Sequence, residues 1–330
     1  MPNFSSFLLK LWKYKFRINH PKLYKYQGDI KRLRMILGPG RSGTSWLLKT
    51  LSHTSTPLRS INEFLYHLKP RLSFSLKNDH TSIPYTFDIK KIYPLIKSYS
   101  CLTLDEYNWN KLLSKHADNL IIRNDKNFKI CLVKEVHSLL GTEMLMKYFK
   151  IQTIFITRNP IYVVDSSLSI TRNKIIYWNE TDYVQNHFFL DRFFTHTKKN
   201  ILEEFAKNRK LPKREKDILN KILTVAILNK MLEQIAKKFN FILHIKYENL
   251  CKYPIQNFSK IARFLSLEFK GEMEKFLEKT MQETKCSINN PYSVFRNTKK
   301  QINRPLYFLN LKEAQKAKEM LTNCKLYDYE

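Results

Sequence analysis

Residues 32–51 read RLRMILGPGRSGTSWLLKTL, and the order of residue types in that stretch decides the fold. An apolar run, Met35 to Leu37, leads in, and a helix-like run from Ser45 to Leu51 leads out. Between them stand Gly38, Gly40 and Gly43, three of the six glycines in the chain. A strand, a tight glycine turn and a helix N-terminus follow one another. Such a turn exposes backbone N–H groups, and the helix end adds a partial positive charge, so the turn suits a phosphate or sulfate.

The stretch departs from a nucleotide-binding P-loop at one place. Gly38, four residues and Gly43 fit the start of G-x-x-x-x-G-K-[ST], but Thr44 and Ser45 fill the last two positions. The missing lysine is the one that reaches the β- and γ-phosphates. The cation has moved into the turn, as Arg41. A kinase or ATPase loses its main charge, and a cradle for another anion gains.

Outward from the turn, strands alternate with helices. Apolar strands are expected at Arg34 to Gly38, Lys129 to Val133, Gln152 to Thr157 and Phe241 to Ile245, with a short extended piece at Pro57 to Ser60. A helix-like run, Leu139 to Tyr148, joins two of them, and another helix starts at Pro160, a residue suited to a first helical position. Ile218, Ile222, Val225, Leu228, Leu232, Ile235 and Phe239 recur at helical spacing within a helical stretch from Asp182 to Phe239. Amphipathic helices follow at Ile255 to Leu265 and Met273 to Met281, then a polar loop from Cys286 to Arg304 and a last helix at Leu311 to Leu321. The expected fold is α/β, a three-layer P-loop-like arrangement with a central, mostly parallel sheet flanked by helices. Residues 1–30 form a basic amphipathic lead-in, and 31–330 one domain, in which 62–125 (an insertion with helical stretches) and 182–240 would shape an acceptor groove.

The 330 residues carry a formal net charge of +29, which attracts polyanions such as nucleotides, acidic glycans, nucleic acid or anionic lipid. Part of that charge reflects a general richness in Lys, Asn and Ile. The five cysteines are widely spaced without a C-x-x-C pair, and the nine histidines show no ligand spacing. Reduced thiols, a cytoplasmic protein and no structural metal are expected. No stretch is apolar and long enough for a spanning helix. The N-terminal segment, with Phe4, Phe7, Leu8, Leu11 and Trp12 among Lys10, Lys13, Lys15 and Arg17, either docks on its own domain or lies peripherally on an anionic membrane.

Three expected strands are followed by a cation: Arg41, Lys134 and Arg158. Ligands of open α/β sheets bind beyond the carboxyl ends of the strands, so parallel neighbours would gather three positive charges beside the glycine turn. A magnesium-dependent NTPase would want an aspartate there. Neither strand end supplies one, although Glu135, one position past Lys134, leaves a metal open.

Four segments, in order, resemble the sulfotransferases that use 3′-phosphoadenosine 5′-phosphosulfate (PAPS). GRSGTSW at 40–46 resembles their 5′-phosphosulfate loop, PKSGTTW or PRSGTT, and LVKE at 132–135 their strand-end lysine segment. ITRNPIYVVDSSLS at 156–169 is similar to their 3′-phosphate motif, and IKYENLCKYPIQNFSKIARFLSL at 245–267 to their YEDL segment and following helix. The resemblance implies that Gly40, Arg41, Ser42, Gly43, Thr44 and Ser45 hold the 5′-phosphosulfate and that Arg158 and Ser166 grip the 3′-phosphate. It places Tyr247 and Trp46 against adenine, with plain core filling the equal alternative for Trp46. Arg41 and Lys134 would stabilise the transferring group, and Glu63, 22 residues after Arg41, would be the base, with His53, His67 and His137 in reserve. Gly40 replaces the usual proline, and the RKGxxGDW loop of the cytosolic branch is absent; Arg296, Lys299 and Lys300 are its candidate substitutes.

The implied function is sulfuryl transfer from PAPS, leaving 3′-phosphoadenosine 5′-phosphate (PAP), to a hydroxyl of a glycan or glycolipid. It requires no metal and no nucleic-acid partner. Two alternatives stand beside it: a P-loop kinase or NTPase, and a non-catalytic polyanion-binding module. The sequence leaves the oligomeric state open.

Overall fold

The structure is a computed structural model that describes residues 30–62, 121–125, 127–136, 139, 142–170, 181, 184–185, 187–282, 297–302 and 304–327. Six strands form one sheet: β1 Leu33–Leu37, β2 Leu58–Asn62, β3 Ile121–Asn124, β4 Ile130–Glu135, β5 Gln152–Thr157 and β6 Ile242–Lys246, in the order β3-β2-β4-β1-β5-β6. The sheet is mostly parallel and flanked by helices, as the alternating pattern predicts. The parallel strands are short apolar runs because both their faces are covered. Every residue of β4 is buried, and in β5 only Gln152 is less than buried.

The helices are α1 Thr44–Leu51, α2 Thr142–Phe149, α3 Pro160–Ile170, α4 His187–Phe193, α5 Lys198–Arg209, α6 Lys213–Lys238, α7 Tyr247–Lys252, α8 Pro254–Phe264, α9 Glu272–Gln282, α10 Thr298–Ile302 and α11 Leu311–Asn323. The chain divides into two compact units. The first takes the described residues of 1–37, 45–154 and 259–274; the second takes those of 38–44, 155–258 and 275–330.

Within the first unit β4 pairs in parallel with β1 and with β2, so Lys134 stands opposite Ile36 on one side and Asn62 on the other. The strand β4 runs on through Lys134 and Glu135, beyond the Val133 boundary read from the apolar run. Lys134 therefore belongs to the end of a strand and not to the loop after it. Of the segment 62–125, expected to be an insertion with helical stretches, residues 63–120 lie outside the described residues; its described end is β3, which pairs antiparallel with β2. Asp125 fastens that corner. It accepts the Leu58 N–H at 2.7 Å and forms an ion pair with Arg123, also at 2.7 Å. Arg123 in turn donates to the Ser52 and Thr54 carbonyls at the end of α1.

The second unit is built around α6. Its Ile218, Ile222, Val225, Leu228, Leu232 and Ile235 are buried, as their spacing requires. The helix packs against α3, α5, α11 and β6. Buried residues also occur between those positions, including Leu219, Leu223, Ala226 and Ile227, as expected of a helix enclosed on most sides. Pro160 opens α3, with Asn159 capping it: the Asn159 side chain accepts the Ile161 N–H at 3.0 Å. The polar loop expected up to Arg304 contains the short helix α10, which packs against α7. Among the described residues, no helix is long and apolar enough to cross a membrane.

Candidate anion site

The glycine turn belongs to the second unit, and its three glycines do different work. A Cβ on Gly38 would collide with the carbonyl oxygen of Ile156 and stand 2.9 Å from that residue's Cγ2. Gly43 has φ 95°, and a Cβ there would run into the Tyr247 ring, 2.7 Å from Cε2. Gly40 has open space where a Cβ would stand. Glycine is thus required at 38 and 43 by close packing and left-handed backbone, and at 40 by neither.

Arg41 adopts φ 73°, a conformation that costs a non-glycine residue about 1–2 kcal/mol. Two contacts hold it there. Its Nε donates to Ser166 Oγ at 3.1 Å, and its carbonyl accepts from Arg158 Nη1 at 3.0 Å. Arg158 follows β5, and Ser166 lies on α3, so the turn, the strand end and the helix are laced together by the residues singled out for anion binding.

Arg158 is only 4 % exposed. Its guanidinium lies over the Tyr247 ring, 4.3 Å from the centroid, and its carbonyl accepts from Asn229 Nδ2 at 2.7 Å. Tyr247 therefore touches Arg158 with its face and crowds Gly43 with its edge. The Asn159 N–H donates to Glu248 Oε1 at 2.9 Å, which joins the start of α3 to α7. Ser42 is fully buried, and its hydroxyl has no hydrogen-bond partner among the described residues. An orphaned hydroxyl inside an N–H-rich turn is a feature that a bound anion would satisfy.

Lys134 sits in the first unit at 2 % exposure. An ammonium is costly to bury without partners. Here it donates to Asn62 Oδ1 at 2.9 Å and to Ser45 Oγ at 3.2 Å. Ser45 is exposed, Thr44 is buried, and Trp46 is buried in the core.

Glu63, Arg296, His67 and His137 lie outside the described residues, as do the side chains of Lys299 and Lys300 and the basic segment 1–29. His53 bonds the Lys49 carbonyl through Nδ1 at 2.8 Å, one helical turn back. Among the described residues, no group of three or more His, Cys, Asp or Glu side chains is gathered as metal ligands would be.

Sequence reasoning did not single out Asn62, Asn229 or Glu248. Asn62 supports Lys134, Asn229 the carbonyl of Arg158, and Glu248 the amide of the residue after Arg158. Asn62 lies beyond the extended piece read at Pro57 to Ser60, at the end of the mixed strand LRSIN, and carried no signal. For Asn229 the signal was an amide inside the apolar repeat of α6.

No family model matches the chain, and no curated protein sequence matches it. Its fold is similar to that of solved sulfotransferases. Mouse sulfotransferase SULT7A1 complexed with PAP is 14 % identical at a TM-score of 0.44, over 93 % of this chain and 89 % of that one. A sulfotransferase from Alicyclobacillus acidocaldarius is 16 % identical at 0.36, over 74 % and 88 %. Retinol dehydratase in complex with androsterone and inactive cofactor PAP is 14 % identical at 0.39, over 93 % and 84 %.

Proposed function

We propose that this chain is a PAPS-dependent sulfotransferase acting on a hydroxyl acceptor. The observation that carries the reading is the linkage of Arg41, Arg158 and Ser166. Two guanidinium residues and a hydroxyl, from the glycine turn, the end of β5 and α3, are held together by bonds of 3.0 and 3.1 Å. A nucleotide with a 5′-phosphosulfate and a separate 3′-phosphate presents anions to a turn and to a neighbouring Arg–Ser pair at once. The buried Ser42 hydroxyl, without a hydrogen-bond partner among the described residues, favours an anion seated in the turn.

When bound, PAPS supplies a sulfuryl group on a good leaving group, and transfer of this kind is governed by positioning and charge stabilisation. The turn's N–H groups and Ser42 would hold the 5′ end. Arg158 and Ser166 would hold the 3′-phosphate through charge-assisted bonds worth about 1.5–3 kcal/mol each. The sequence resemblance assigns Lys134, which Asn62 and Ser45 hold within the first unit, to charge stabilisation of the transferring group. Glu63, the residue after β2, would take the acceptor's proton. The basic chain suits an acidic acceptor such as a glycan or glycolipid, and a cytoplasmic setting fits its dispersed thiols.

Ligand-dependent melting tests the reading. A ligand at 100-fold its Kd adds about 2.7 kcal/mol of stability. PAP should stabilise the protein by that order, ATP far less, and Arg158→Ala should lose the PAP effect. A larger shift with Mg·ATP than with PAP would turn the assignment toward a kinase or NTPase.

A further inference from the structure

Ser166 has a neighbour that the proposed chemistry does not use. Asp165 is fully buried in α3, amid apolar residues. Its Oδ1 accepts three consecutive backbone N–H groups, from Tyr307 at 3.1 Å, Phe308 at 2.8 Å and Leu309 at 3.1 Å. Its Oδ2 forms an ion pair with Arg304 at 2.8 Å, and Arg304 is itself buried. The same guanidinium nitrogen donates to the Tyr162 carbonyl at 3.3 Å. In an α-helix that carbonyl is the one to which residue 166 donates its N–H. The next amide, Asn310, bonds the Glu313 carboxylate at 3.0 Å within a capping box at the start of α11.

Successive N–H groups converging on one oxygen make an anion-binding concavity. Here an internal carboxylate fills it, so the loop is tied to one point on α3. A buried carboxylate has to be held by partners of this kind. The tie could have been placed anywhere along the helix. It falls on the residue beside Ser166 and on the carbonyl one turn before it.

We propose that Asp165 is a positioning residue for the 3′-phosphate: with Arg304 and the 307–309 amides it fixes the turn of α3 that presents Ser166 to Arg41. The inference rests on the PAPS reading, since it names what holds that site's serine in place. Coupling between two elements is reciprocal. A ligand on Ser166 and Arg158 must therefore tighten the 304–309 segment, and loosening that segment must weaken the ligand.

Calorimetric titration of the full chain with PAP and with adenosine 5′-phosphosulfate, which lacks the 3′-phosphate, tests it. In Asp165→Asn and Arg304→Gln, PAP should bind about tenfold weaker or more, while adenosine 5′-phosphosulfate stays within about twofold. PAP affinity within about twofold of wild type, or an equal loss for both ligands, would overturn the proposal. If wild type binds neither ligand, the PAPS reading itself fails, and with it this inference. Hydrogen exchange on the wild type needs no variant to fold: PAP should slow exchange of the 307–309 amides, and unchanged exchange in a protein that binds PAP would refute the coupling.

Discussion

Single residues in the glycine turn carry unequal weight, and the inequality can be measured. Gly43 combines φ 95° with a Tyr247 ring where its Cβ would stand, whereas Gly40 has open space around it. Gly43→Ala should lose more than about 2 kcal/mol, the sum of left-handed strain and a steric clash. Gly40→Ala should change stability by under about 0.5 kcal/mol. Urea melts of the two variants would show it, and equal losses would mean that the turn's shape is set by something other than packing against Tyr247. The three glycines were legible in the sequence as a group, because a glycine-poor chain had concentrated them. Their ranking was not, since the ring that crowds Gly43 lies about two hundred residues away in the chain. The same reason hid Asp165. The backbone amides that bond it begin 142 residues later, and an aspartate in PIYVVDSSLSI reads as a flaw in an apolar helix until they are known.

Elements were legible where burial on both faces made them apolar throughout. The run QTIFIT became β5 with the boundaries read from it. The four residues IIRN of β3 carry too little pattern to announce a strand. That strand exists through its ladder with β2 and the Asp125 clasp. Elements also transmit pH. Strands β5 and β6 are joined where Thr157 Oγ1 meets His244 Nε2 at 2.8 Å. Burial lowers the His244 pKa from its usual value; Glu233 opposes the shift and Lys246 adds to it. The folded chain thus takes up this proton at lower pH than the unfolded chain does. Stability from this group is intact above the unfolded value, about 6.5, and falls as the pH drops below it toward the lowered folded value. His244→Gln should remove that share of the slope, so wild type minus variant stability should decline from pH about 7.5 to about 5. Parallel urea titrations at the two pH values check the sign, and a difference that grows on acidification would contradict it.

At the scale of the whole molecule, the net charge of +29 sets two responses to anions that salt composition can separate. Self-repulsion of that charge opposes the compact state, and screening relieves it regardless of which anion is added. A built site adds a second response, specific to a tetrahedral dianion. Sodium sulfate at about 0.1 M and sodium chloride at about 0.3 M have equal ionic strength and screen alike. Both should raise the melting temperature over a low-salt buffer. Sulfate should raise it further, partly through its exclusion from the surface of any protein and partly by binding. Arg158→Ala separates these last two, because exclusion depends on exposed area and Arg158 is 4 % exposed. Removing it leaves the excluded surface almost unchanged while taking a guanidinium from the Arg41–Ser166 cluster. The excess of sulfate over chloride should therefore shrink in the variant, and the chloride response should stay as it was. An excess that survives intact would place the sulfate effect on the surface at large and leave the cluster without a measurable preference for sulfate.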